Sequence, residues 1–462
     1  MAFSMPVSHD TQNINNNESL IGDFVREDIL NKKDHPYRYE ITNELHARPF
    51  ERIESPAQLT YYTMTSEEGN TSDDLAHIKA LCLRMGVNPP ADNASHFSAD
   101  FGAFRLRWER HGEFSDYTFL QEGEFDDAFV NMPVMNVPND WLRNIPGQRI
   151  VGVHLAFLSK KTSIPDEKKL RQWLARGTIL TSKVASNEAQ IWTDFQIHGD
   201  GHSRVVIHDS GLNPWKSGRV LQRLLETITY SSMALMALPK ARQAWTKMIV
   251  IEKALAQLTA KIAKDNDGYD TAPDSSLDGE VLTQLTSLSA ELERVNSSTI
   301  FRLTAARAYY ALVQDRLTEL NEQGVSGYQQ FGSFLKRRMV PAMRTCVAVE
   351  ERQKELSQRA TRVADLLRTR VDFSLERQNQ QLLSSMAKRS QHQLRLQETV
   401  EGLSVAAITY YAVGLVGYIA KATKSLGISL NVDIVQGVAI PIIAGSVWLG
   451  MRQLRKSIFG KN

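Results

Sequence analysis

Two uncharged apolar stretches near the C-terminus, 402–420 and 434–451, constrain this chain more than any other feature, because the residues before them are richly charged. They hold 19 and 18 residues. At 1.5 Å of rise per residue, a helix of either length just crosses the hydrocarbon core of a bilayer. Apolar helices buried in a soluble domain are usually shorter or carry a charge along one edge. The pair therefore predicts a two-helix transmembrane hairpin over 401–462, ending in a basic tail. The segment joining the crossings carries Lys421 and Lys424, whereas Arg452, Arg455, Lys456 and Lys461 follow the second crossing and a basic segment precedes the first. The positive-inside bias puts both termini in the cytoplasm and the short connection outside.

With 462 residues, 42% of them hydrophobic and 23% charged, the chain can fill a large core and is expected to form more than one structural unit. The formal charge of +2 gives no electrostatic case for nucleic acid, and none is expected as a partner. The only two cysteines, Cys82 and Cys346, lie far apart and outside any Cys/His cluster, which suits a reducing compartment. The polar segment 1–20 reads as a flexible leader with no basic-then-apolar signal.

The expected fold class is α+β. A cytoplasmic domain over 21–212 is built on a mainly antiparallel sheet with helices, and a long-helix bundle or stalk follows over 213–400, broken by a loop at 265–278. Strands are predicted at 58–64, 103–110, 114–120, 149–158, 178–185, 189–197 and 203–208, and helices at 23–33, 72–85, 125–129 and 167–175. From Ser217 the apolar spacing becomes helical, with Pro239 set to cap, kink or restart the helix. A second long helix is predicted over 280–321, pairing antiparallel with the first. From Thr345 to Glu401 there is neither proline nor glycine, so one very long helix can run into the first crossing. It carries an apolar seam of Val363, Leu366, Leu367, Val371, Leu375, Leu382, Leu383 and Met386, and 14 Lys or Arg against 8 Glu or Asp over 336–401. That composition suits a packed helix or coiled coil, a stalk drawn to anionic headgroups, or both in different parts.

Several polar groups invite a site. Glu44, His46 and Arg48 crowd a segment restrained by Pro49. If the chain is extended there, Glu109, His111 and Glu113 fall on one side of a strand, where they could bind a divalent cation or move a proton, although Gly112 favours a turn. Each group reads equally as structural ion pairing, with Arg48, Arg105 or Arg107 as partners. His198, Asp200, His202, His208 and Asp209 surround a predicted turn at 199–201; imidazole and carboxylate there could ligate zinc, iron or manganese, but the spacing matches no specific metal motif, and solvent-facing hairpin ends are the simpler account. In the first crossing Glu401, Ser404, Tyr411 and Tyr418 share one helical face, which either lines a pore or packs helices beside Gly414 and Gly417. No catalytic residue is assigned, because nucleophile-elbow, phosphate-loop, zinc-protease and dinucleotide motifs are all missing.

The segments 43–50 (NELHARPF), 108–119 (WERHGEFSDYTF), 218–239 (GRVLQRLLETITYSSMALMALP) and 398–418 (ETVEGLSVAAITYYAVGLVGY) resemble the bacterial family called domain of unknown function 3422. That resemblance implies a membrane-anchored protein in a bacterial setting and no established reaction. The plan is also loosely similar to that of CorA-like divalent-cation channels, without their Gly-Met-Asn signature: 417–420 reads Gly-Tyr-Ile-Ala. The expected role is a sensor or scaffold anchored in the bacterial inner (cytoplasmic) membrane. The lipid bilayer and a second copy of the chain, as a homo-oligomer, are its expected partners. The soluble ligand is unknown and a divalent cation is admissible. A CorA-like oligomeric channel or transporter, and an enzyme using the N-terminal Glu/His/Arg motifs, are the alternatives.

Overall fold

The computed structural model describes residues 34–46, 50–65, 72–174, 177–266, 275–425 and 431–459. The fold is α+β. Its order is α1 (Arg38–His46), β1 (Ala57–Thr65), α2 (Ser72–Met85), β2 (His96–Asp100), β3 (Arg105–Arg110), β4 (Phe114–Glu122), α3 (Asn139–Arg143), β5 (Gln148–Leu158), α4 (Glu167–Trp173), β6 (Leu180–Val184), β7 (Ala189–Thr193) and β8 (Ser203–Asp209). The long helices follow: α5 (Pro214–Leu235), α6 (Ala237–Asn266), α7 (Ser275–Glu319), the two-residue β9 (Gln323–Gly324), α8 (Phe331–Ser425) and α9 (Val432–Phe459). The predicted helix at 23–33 lies outside the described residues.

One sheet runs β2-β3-β4-β1-β5-β8-β7-β6-β9. Its neighbours pair antiparallel except β5 and β8, which pair parallel with His154 opposite Arg204. β1 sits between β4 and β5, and all nine of its residues are buried. Alternation along a strand sends neighbouring side chains to opposite faces. Tyr62 and Met64 thus enter a core with Ile78 and Leu81 of α2, Trp108 of β3, Phe119 of β4 and Trp141 of α3. Tyr61 and Thr63 turn the other way and reach Thr229 of α5. Farther along, Ala156, Trp192 and Val206 pack on Leu170 and Trp173 of α4.

The helices start where their sequences cap them. Asn213 accepts the amide of Lys216 ahead of Pro214 in α5, and Asp166 accepts the amide of Lys169 in α4. The helix breaks at Met236 and restarts with Pro239 in the first turn of α6. No helix forms at 125–129, because the carbonyls of Asp127, Ala128 and Val130 accept the buried Gln58 amide instead of helical partners. β7 stops at Thr193, short of the predicted 197, where Thr193 Oγ1 takes the amide of Phe195 and Phe195 turns to a positive φ. The strand β2, the helix α1 and the tiny β9 give no strong periodic signal. β2 alternates between exposed and half-buried, as an edge strand does.

The chain divides into two compact units, 1–254 with 288–358 and 255–287 with 359–462. In the first, β9 pairs with β6, and the start of α8 is anchored to the sheet edge: the Phe331 amide donates to Ser182 Oγ at 3.0 Å and the Gly332 amide to Glu322. There α7 and α8 run antiparallel, since Thr299 bonds Gln353 and Arg307 pairs with Glu350. In the second unit Lys261 of α6 pairs with Glu280 of α7 at 3.7 Å, and Arg370 of α8 donates to the Ile262 carbonyl at 3.3 Å. Of the predicted seam, Val363 and Leu367 are buried, while Leu366, Val371, Leu375, Leu382, Leu383 and Met386 are exposed.

Among the described residues, two helices are long and apolar enough to cross a membrane. The most apolar windows of α8 and α9 reach mean hydropathies of 1.7 and 1.8. Within the second unit they approach at Gly417, where a Cβ would overlap the Gln436 amide, whereas Gly414 has open space.

A glycine also sets the seating of α5. A Cβ at Gly218 would overlap the Glu51 carbonyl oxygen, so the helix lies directly on the main chain of 51–53, and the Ile53 amide donates to the Pro214 carbonyl at 3.1 Å. Gly218→Ala is expected to cost about 1–3 kcal/mol, as overpacking against rigid backbone does. Chemical denaturation would measure it, and an unchanged midpoint would show that α5 can lift without loss.

Candidate functional site

A polar cleft lies between α5 and the sheet face formed by β1, β3 and β4. Because β3 alternates, Arg105, Arg107 and Glu109 share this face while Leu106 and Trp108 enter the core behind it. They line a cleft of about 50 Å³ with Glu51, His111, Asp116, Gln222 and Glu226. That space holds a few waters and no metabolite without movement of α5. Arg107 donates its Nε to Glu109 at 3.1 Å and an Nη to Gln222 at 3.3 Å; Gln222 donates to Glu226 at 2.8 Å, and Glu226 pairs with Arg316 of α7. A continuous chain of charge-assisted contacts thus runs from β3 through α5 to α7.

Below this chain lies a buried hydroxyl relay. Thr63 Oγ1 donates to Asp116 Oδ1 at 2.7 Å, so its other contact, Thr229 at 2.9 Å, must donate to it, and Tyr61 in turn donates to Thr229 at 2.9 Å. All the protons point toward Asp116. Burial, then the Asp116 charge, pushes the Tyr61 phenol far above its ordinary pKa and keeps it a donor. His111 stacks on Phe114 with ring centroids 4.4 Å apart; its Nε2 stands 3.3 Å from Asp116 Oδ2 but is not aligned for a hydrogen bond. A carboxylate facing an imidazole can hold and exchange a proton in such a cleft.

Of the Glu109, His111 and Glu113 group, the first two share the cleft and the third does not. The turn closed by the His111 amide on the Phe114 carbonyl, at 2.8 Å, ends the strand alternation at Arg110. Glu113 instead pairs with the buried Arg302 of α7 at 2.5 Å. Burial, then the Glu113 charge, pushes the nearby Tyr309 phenol up to about 12. Glu44 and His46 belong to α1, with side chains outside the described residues, as is Arg48 altogether. Asp116 and Gln222 escaped the sequence reading because register and helix packing bring them into the cleft, whereas Arg107 takes up with Glu109 the ion pairing expected of it; Asp116 in WERHGEFSDYTF carries no marker of its own.

The histidines around 199–201 are buried rather than solvent-facing, which corrects the hairpin-end expectation. They also disperse. His198 contacts Asp194 at 3.1 Å, His208 meets the Thr162 carbonyl at 2.8 Å, and Asp209 accepts the amides of Gly211 and Leu212. His202 instead stacks on His154 of β5, with centroids 3.9 Å apart. Burial, then the His202 ring, pushes His154 down to about 3, and burial followed by Arg149 lowers His202, so both imidazoles are neutral near pH 7.

On the polar face predicted for the C-terminal part of α8, Ser404 Oγ donates to its own helix at the Val400 carbonyl at 2.8 Å, Glu401 accepts Gln397 at 3.4 Å, and Tyr411 and Tyr418 are exposed.

Thr63→Val keeps the shape of the relay and deletes its central hydroxyl, which takes the Thr63 donor from Asp116 and the Thr63 acceptor from Thr229. The expected loss is about 1–3 kcal/mol of folding free energy. Urea unfolding would read it, and a variant as stable as the parent would show that the relay holds nothing together.

No curated protein and no solved structure matches the chain, so the likeness to CorA-like channels rests on outline alone. Residues 33–458, nearly the whole length, match the family described as a protein of unknown function, DUF3422, and the chain belongs to that family.

Proposed function

We propose that this chain is a sensor or scaffold tethered to the cytoplasmic face of a bacterial inner membrane, with the cleft beneath α5 as its ligand seat. The observation that supports the tether is α8: 95 residues of uninterrupted helix that begin with Phe331 bonded to the sheet edge and contain the first membrane-length apolar segment. The support for sensing is the polar chain Arg107–Gln222–Glu226–Arg316, since a ligand that alters Arg107 or Glu109 alters the partners of α7 through it. Binding is preferred to catalysis because the polar groups of the cleft are engaged with one another.

The orientation is testable by cysteine labelling. Burial raises the pKa of both natural thiols, Cys82 and Cys346, which keeps background reaction low even before they are replaced. A single cysteine placed at 426–430 should react with an impermeant reagent only from outside the membrane, and one at Arg452 only from the cytoplasm. The reverse pattern would sink the proposed topology.

The tether is also the expected seam between copies. Val371, Leu375, Leu382, Met386, Val400, Ser404, Tyr411 and Tyr418 follow one another at intervals of four, seven, four, fourteen, four, seven and seven, so they stay on one stripe of α8, and the apolar members are exposed. An exposed apolar stripe of this length gains stability by meeting its copy. Mass measurement in mild detergent should find an oligomer that Leu382→Lys with Met386→Lys dissociates; a monomeric parent would remove the seam. The same reconstituted oligomer assayed for Mg²⁺ and Co²⁺ flux separates tether from channel, because a tether passes neither ion.

A further inference from the structure

The two stacked histidines belong to a constellation that neither the cleft nor the membrane segment uses. His154 comes from the middle of β5, opposite Thr60 of β1 and Arg204 of β8. His202 and Asp200 come from the turn that leads into β8. That turn is closed from both sides: the His198 amide donates to the His202 carbonyl at 2.8 Å, the Gly201 amide to the His198 carbonyl at 3.0 Å, and the His202 amide to Asp200 Oδ1 at 3.0 Å. One ligand atom from each of His154, Asp200 and His202 lies within 4.8 Å of the other two.

The protonation state of His202 follows from its partners. Its Nδ1 is 2.9 Å from the Asp200 carbonyl oxygen, which can only accept, so the proton sits on Nδ1. Its Nε2 is 3.2 Å from an Arg149 Nη, which can only donate, and 3.0 Å from the Tyr62 hydroxyl, so Nε2 carries the lone pair. A ring whose N–H is spent on a main-chain carbonyl, with the lone pair on the opposite nitrogen, is the arrangement that orients a metal-binding histidine; an ion would have to displace Arg149 and Tyr62 from that lone pair. His154 has Nδ1 occupied by Thr60 at 2.9 Å, which leaves its Nε2 as the second nitrogen. Asp200, half exposed, supplies a carboxylate and a route from solvent.

We propose that His154, His202 and Asp200 form a site for a divalent first-row transition metal, and that Arg149 competes with the ion for the His202 lone pair. Two imidazoles and one carboxylate are a donor set for zinc, iron, cobalt or manganese and leave open positions for water or a small ligand. The charges facing the site are Asp200, Arg204 and Arg149. Arg204 is already held by Asp200 at 3.0 Å and by the Trp173 carbonyl at 3.0 Å. Arg149 donates one nitrogen to the His202 lone pair, beside the Tyr62 hydroxyl, and another to the Gly201 carbonyl at 3.4 Å. Arg149 therefore competes with the ion both for the lone pair and by like charge.

That competition gives the proposal a signature that a merely structural histidine stack lacks. The full chain in detergent, titrated with Co²⁺, should bind one equivalent with visible ligand-field absorption that Zn²⁺ abolishes by displacement. Arg149→Gln should tighten binding by about tenfold or more, the span seen for groups around a metal's ligands. His154→Gln and His202→Gln should abolish it. Asp200→Asn keeps the acceptor that closes the turn and should weaken binding by a comparable factor; it carries the test if either histidine variant fails to fold by circular dichroism. Absence of saturable Co²⁺ binding in both the parent and Arg149→Gln would overturn the site. So would an affinity unchanged by Asp200→Asn.

Discussion

The sheet domain depends on one constraint: β1 is buried on every residue, so its two faces must each be satisfied by a different layer. Tyr62 and Met64 meet aromatic and aliphatic side chains from α2, α3, β3 and β4, an interface closed by area and shape. Tyr61 and Thr63 meet α5 through hydroxyls. A strand of β-branched and aromatic residues suits both, because each such side chain fills a pleat whatever lies above it. The hydroxyls on the second face are what require α5 to carry Thr229 at the matching level, and Gly218 is what lets α5 approach closely enough for it to do so.

Charge follows the same division. The apolar layer behind β3 excludes ions, and the α5 side gathers them: Arg107 with Glu109, Glu226 with Arg316, and Glu113 with Arg302. Buried ions of this kind add little net stability, because desolvation offsets most of the attraction, but removing one partner leaves the other stranded. Such pairs therefore make the approach of α5 and α7 to the sheet specific rather than strong. A binding protein needs its ligand seat connected to the rest of the molecule by contacts that the ligand can rearrange. Apolar packing tolerates less rearrangement, since it loses close contact over the whole interface at once.

The cleft and the histidine site arise from different features of strand pairing. In the cleft, the antiparallel hairpin β3–β4 puts Glu109 opposite Asp116, so two carboxylates fall side by side and must share Arg107 and His111 between them. At the histidine site, the parallel pairing of β5 with β8 carries His154 to a turn 46 to 48 residues later in the chain, at Asp200 and His202. Parallel neighbours need a long crossover, here through α4, β6 and β7, and nothing local in either segment announces the partner.

Periodicity and length were enough to determine the α+β class, most strand positions, the change to helical spacing from Ser217, an irregularity at Pro239, the long α8 and the two membrane-length apolar helices. Each of these is a local consequence of residue spacing, capping or the missing proline N–H, and needs no knowledge of neighbours. Glu109 and His111 were visible as candidates for the same reason, by strand alternation. What only the tertiary structure decided is their company. Gly112 turns Glu113 away to Arg302, Asp116 arrives through the hairpin register, Gln222 and Glu226 through the seating of α5, and His154 through a parallel pairing. Likewise the spacing of the α8 seam showed that an apolar stripe exists, but only packing showed that it is covered at Val363 and Leu367 and bare from Val371 onward. Spacing along a chain defines a face. What covers that face depends on which distant segments fill the space against it, and that is settled by the packing of the whole chain at once.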